Sequence, residues 1–213
     1  MGQLSQIFIF FTSVLFAQEN QGSITFEEKI KLEIENPSSQ YFYPNLLTKI
    51  NELPESTSQE ELKFLYYGQI YKKGSGLSFL DNPNEDTFRK AVMQKNCNKI
   101  LKFVYLNLKQ NPVLLTTLMP VCDCQSKIKA TEKDYLNTRL KILIELILDT
   151  GNGYSKETAI KIANIEDDLL LKEILKFKDG KETFETLNNR TFSVWNNGIE
   201  KIYFEDSWNY KYN

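Results

Sequence analysis

Up to Thr150 the apolar residues recur at helical spacing between short polar turns, and from Gly151 the chain becomes β-rich. Phe26, Ile30 and Ile34 share one helical face. Thr25 with Glu28 forms a capping box and Pro37 forbids continuation, which together predict a first helix over Thr25 to Asn36. Ile30, Leu32 and Ile34 also alternate, so a strand stays open there. The segment YPNLLTKINEL predicts a short second helix that Pro54 stops. In STSQEELKFLYYGQIYKKG, Ser58 and Glu61 form a second capping box, and Gly74 is placed as the C-terminal stop. Leu62, Leu65, Tyr66 and Ile70 lie on one side of this helix and Phe64, Tyr67 and Tyr71 on the other. A helix apolar on both sides has to be packed on both sides.

After a loop with Asn82, Pro83 and Asn84, helical spacing resumes in EDTFRKAVMQKN and in CNKILKFVYLNLKQ, where Ile100, Leu101, Val104, Tyr105 and Leu108 share a face. Asn111 and Pro112 break the chain before VLLTTLMPVCDC, and Thr131 to Thr150 predicts a long helix containing ILIELIL. Such an alternation fits helical hairpins of the tetratricopeptide kind or an irregular bundle, and both stay open. Beyond Gly151, TAIKIAN predicts a short strand, Asn164 with Asp167 caps a helix, and TFETLNN and RTFSVWNNGIEKIYFED predict strands. Asn197-Gly198 is read as a tight hairpin turn. The expected fold class is α+β: a mainly helical lobe over 18–150, then a small antiparallel-sheet α+β lobe over 151–213.

The 213 residues include 41% hydrophobic ones, enough for a real core. With 26 basic and 28 acidic residues the formal charge is -2, which gives nucleic acid no electrostatic grip. There is no histidine, so Ser-His-Asp and Cys-His catalysis are excluded and the commonest zinc ligand is missing. No catalytic residue, metal or cofactor is expected. The apolar run from Ile7 to Phe16 is too short to span a bilayer and suits a signal peptide cleaved after Ala17. No Lys or Arg precedes it; a buried N-terminal element is the alternative. No cysteine follows the run to carry lipid, and Gln6 stands where myristoylation prefers Ser or Thr. The expected product is exported, periplasmic or secreted, neither lipid-anchored nor membrane-spanning. Cys122 and Cys124 would form a strained ring if joined, so any disulfide must use Cys97; buried free thiols are the preferred reading.

At LYYGQIYKKG, GNGYSKETAIKIANIEDDLLL and IEKIYFE the chain resembles domain-of-unknown-function family 4919, a group of exported bacterial proteins. Tyr66, Tyr67, Gly68, Gly151, Gly153, Thr158, Ala159, Tyr203 and Phe204 carry the likeness, which runs from Phe26 to Phe204. Leu169 and Leu170 depart from it, standing where acidic and aromatic residues are usual. The resemblance implies an envelope or secreted setting and brings no activity.

Two stretches look like sites. DTGNGYSKETAIKIANIEDD, Asp149 to Asp168, lacks the spacing of a phosphate loop, and its third and fifth positions, Gly151 and Gly153, cannot supply the side-chain oxygens of a calcium loop. It is read as a turn, with a Ca²⁺ or anion site as the alternative. Tyr66, Tyr67 and Tyr71, with Tyr41, Phe42 and Tyr43, read as core at helical spacing or as the lining of a peptide or sugar groove. Tyr66, Tyr67, Tyr71 and Tyr43 are the binding candidates. Adjacent Glu60 and Glu61 cannot face each other as a hydrolase pair. The preferred function is a non-catalytic module binding a protein or peptide, followed by a glycan or small-ligand binder and then a carboxylate-based hydrolase.

Overall fold

The computed structural model describes residues 24–71 and 85–206. The signal-peptide segment, Gly74 and the Asn82 to Asn84 loop lie outside the described residues. Eight α-helices are described: α1 Phe26–Glu35, α2 Tyr43–Glu52, α3 Gln59–Gly68, α4 Glu85–Met93, α5 Cys97–Gln110, α6 Leu115–Asp123, α7 Ala130–Leu148 and α8 Asp167–Ile174. Four strands accompany them: β1 Ile160–Lys161, β2 Lys181–Leu187, β3 Arg190–Asn196 and β4 Lys201–Glu205. No described helix is long and apolar enough to cross a membrane.

Helix wins over strand at the first element because the cap is complete. Thr25 accepts from the Glu28 backbone and Glu28 accepts from the Thr25 backbone, while Ile30 and Ile34 are buried and Leu32 is 60% exposed. Spacing four therefore chooses the inner face. The Ser58–Glu61 capping box starts α3 in the same way, and Leu62, Phe64, Leu65, Tyr66 and Tyr67 are all buried on both of its sides. Helices α1, α2 and α7 all pack against α3. The element continues as a 3₁₀ turn, Gln69–Tyr71. One core runs from Ile30 of α1 through Val104 of α5 and Leu143 of α7 to Phe204 of β4, so helices and sheet bury each other's apolar faces.

The sheet has the order β1-β4-β3-β2. Strands β2, β3 and β4 are antiparallel, but β1 pairs parallel with β4, Ile160 opposite Phe204 and Lys161 opposite Glu205. The expected antiparallel sheet holds for β2, β3 and β4, and the parallel β1 makes the whole a mixed one. Its first strand leaves through α8 and so cannot form a hairpin with its neighbour. The hairpin expected at Asn197-Gly198 does form, between β3 and β4, but not through a two-residue turn. Four residues separate β3 from β4, Gly198 has a positive φ, and the Asn197 side chain accepts from the Ile199 and Glu200 amides. The two-residue turn is Asn188-Asn189, both at positive φ, between paired Leu187 and Arg190. Helix α8 starts later than expected. Asn164 accepts from Glu166 N at 3.2 Å in the approach, and Glu166 is the cap.

Cys97 and Cys124 form a disulfide with Cα atoms 5.3 Å apart, joining the start of α5 to the end of α6. The free-thiol reading is corrected for these two and holds for Cys122, whose Sγ meets Asn137 Oδ1 at 3.0 Å. The bridge closes a separation of 27 residues. Its reduction is expected to remove roughly 3 kcal/mol, mainly by releasing the unfolded chain. Urea midpoints with and without reductant check this, and a Cys122→Ser chain should behave as the native one.

Candidate functional site

One face of α7 carries Thr131, Asp134, Tyr135, Thr138, Arg139 and Ile142, which follow the helical spacings of three and four. Opposite stand Pro54, Glu55 and Thr57, which follow α2, and Leu62 of α3. Between them lies a cleft of about 420 Å³, within the range of about 300–1,000 Å³ usual for ligand sites. Pro54, which cannot continue α2, starts the 3₁₀ turn Pro54–Ser56 that forms this wall and is followed by Thr57.

Arg139 is the unusual member. It is 5% exposed, forms no ion pair among the described residues, and makes one hydrogen bond, from Nη1 to the Pro112 carbonyl at 3.1 Å. Its guanidinium lies 4.2 Å from the centre of the Tyr135 ring, a partial compensation. Its Nε is buried without a partner among the described residues, as are the Tyr135 hydroxyl and the Thr57 hydroxyl. Buried charges are ordinarily paired because dehydrating them is expensive. Here burial alone pulls the guanidinium down from 12.5 to about 9, leaving it cationic near neutral pH. The rim holds exposed Glu55 and Asp134.

Four predicted tyrosines, Tyr66, Tyr67, Tyr71 and Tyr43, are 1%, 0%, 8% and 6% exposed, so the protein itself covers their rings. Tyr67 donates to the Lys161 carbonyl at 3.1 Å and borders a second cleft, of about 490 Å³, beside Phe26, Glu60 and Lys63. Lys63 and Glu60 face each other there at 3.6 Å. Tyr66 reaches furthest: it donates to Asp167 Oδ2 at 2.6 Å and accepts from Ala163 N at 3.2 Å. Tyr41 stacks on Phe64 with ring centres 3.9 Å apart.

Where α8 meets the sheet, a set of acids is buried. Asp167 and Asp168 are 1% and 3% exposed, and Asp206 is 1% exposed. Burial pushes the Asp167 carboxyl up to about 8; its bond from Tyr66 opposes this, and Glu166, Asp168 and Asp206 add to it. Asp167 Oδ1 has no partner among the described residues. Asp168 accepts from the Ser193 hydroxyl and from Trp195 Nε1 at 3.0 Å, and Ser193 also meets Glu182 at 3.1 Å. One hydroxyl proton cannot serve both acids. Burial first, then the neighbouring Asp168, raises the proton affinity of Glu182. Asp168 and Ser193 are sealed between helix and sheet, which denies this pair of acids the access to substrate that a hydrolase needs.

The stretch Asp149 to Asp168 is bound into the fold. Gly153 donates to the Thr158 carbonyl at 2.8 Å and accepts from Tyr203 N at 2.9 Å, which ties the loop to β4. Among the described residues no group of three Cys, Asp or Glu is placed to hold a metal ion. Arg139 is not legible as a site residue in the sequence because an arginine in a helix usually faces water. The mixed polar and apolar face of α7 is the one signal that points to it.

A family model described as "Domain of unknown function (DUF4919)" matches residues 28–212. No curated protein and no solved structure matches the chain.

Proposed function

The chain belongs to the DUF4919 family, and from that premise we propose that it is an exported, non-catalytic module of the bacterial cell envelope that binds a peptide or protein segment. The recognition site is the cleft between the 54–57 turn and α7. The observation that carries this reading is Arg139, a buried cation without a counter-charge beside an open cleft that also presents Pro54, Leu62 and Ile142. A peptide offers both apolar side chains and acceptors for such a wall. A neutral sugar supplies no anion, and the four candidate tyrosines present no open ring face to stack on it. The apolar run Ile7 to Phe16 and the Cys97–Cys124 bridge, a bond that persists in oxidising compartments, support export.

Thr138 is exposed on the cleft face, so Thr138→Trp should fill the cleft while leaving the core intact. Against an array of short peptides, the chain from Gln18 is expected to retain a subset that the Thr138→Trp form releases. Equal capture by both forms, or no capture by either, refutes the reading.

A further inference from the structure

Resting on that peptide reading of the cleft, we infer that it reads the free C-terminal carboxylate of a peptide whose last residue is basic. Arg139, Tyr135 and Thr57 all line the cleft, and each carries a buried polar group, Arg139 Nε, the Tyr135 hydroxyl and the Thr57 hydroxyl, that can donate and has no partner among the described residues. Three donors without acceptors fit a group that only accepts, and the buried guanidinium asks for that group to be an anion. A carboxylate fits better than a phosphate. The cleft offers one cation against two rim acids, Glu55 and Asp134, so a second negative charge on the ligand would be repelled.

The same rim acids give the cationic end its place. A lysine or arginine stem can lie along Leu62 and Ile142 while its charged head stays in water near Glu55 and Asp134. The bound peptide thereby opposes its charges to those of the cleft: carboxylate inside on Arg139, ammonium outside on the acids. Aromatic compensation from Tyr135 explains how the guanidinium tolerates burial before the ligand arrives.

The test uses the full mature chain and isothermal titration with N-acetyl-Ala-Ala-Lys as the free acid, its C-terminal amide, and the amide of N-acetyl-Ala-Glu-Lys. The free acid is expected to bind at least about 30-fold more tightly than either amide, as loss of a charge-assisted contact implies. Tyr135→Phe and Thr57→Val each remove a hydroxyl that no described residue uses, so they should fold and weaken the free acid several-fold without touching the amide. Arg139→Gln should abolish the difference between acid and amide. Equal binding of acid and amide overturns the carboxylate inference and leaves the peptide reading standing. Equal binding of the internal glutamate peptide overturns the terminal assignment. Acetate, followed by the NMR signal of the Arg139 Nε–H group, separates the two claims. A shift without binding of any peptide keeps the anion subsite and ends the peptide reading; no shift and no binding ends both.

Discussion

Gly151→Ala is expected to lower stability by about 4 kcal/mol or more. A Cβ at this position would stand 2.4 Å from the Thr158 carbonyl oxygen and 2.5 Å from that of Ala159. Both are backbone atoms leading directly into β1, so neither can swing aside as a side-chain tip would. Relief requires the loop to part from the strand, and with it goes the seat of β1 against β4. Gly198 is the control. It has a positive φ, but a Cβ there would meet nothing within 4 Å, so Gly198→Ala should cost only the left-handed backbone penalty of about 1–2 kcal/mol. Urea midpoints of the two variants decide the matter, and equal losses would contradict the packing described.

Tyr66→Phe is expected to remove roughly 4 kcal/mol, because one hydroxyl satisfies two buried groups at once. Without it, Asp167 loses the partner of Oδ2 while Oδ1 already has none among the described residues, and Ala163 N–H loses its acceptor. The loss should also depend on pH. Asp167 sits at about 8 in the fold, against about 4 in an unfolded chain, chiefly through burial. Its stabilising contribution is therefore complete below about pH 4 and fades as pH rises through 8. The Tyr66 hydrogen bond favours the ionised form, so removing it moves the folded value still higher and enlarges the deficit on the alkaline side. Denaturation at pH 5 and pH 9 should show the greater loss at pH 9. Asp167→Asn should flatten the pH dependence, and a deficit identical at both pH values would place the linkage elsewhere.

Much of the helical part was legible because its signals are local. Thr25 with Glu28 and Ser58 with Glu61 close their capping boxes over three residues, and the two apolar stripes of α3 state in advance that both flanks are covered. The β-rich end was legible in kind but less so in detail. Asn197-Gly198 carries the stronger turn signature, yet the tight turn formed at Asn188-Asn189, where the paired registers of β2 and β3 leave two residues to spare. The parallel seat of β1 was not legible, since a two-residue strand has no pattern of its own and takes its direction from the partner it meets.

The amino-acid order alone determined the class of fold, the absence of histidine chemistry, the caps that start α1 and α3, and the loop character of the Gly151 segment, since each depends on residues within a few positions of one another. Tertiary structure alone decided which cysteines join, that Tyr66 holds Asp167 across 101 positions, and that Arg139 turns inward to a cleft. The physical reason is that burial and charge pairing belong to neighbours in space. A side chain's proton affinity or unmet hydrogen bond is set by groups that sequence distance does not reveal.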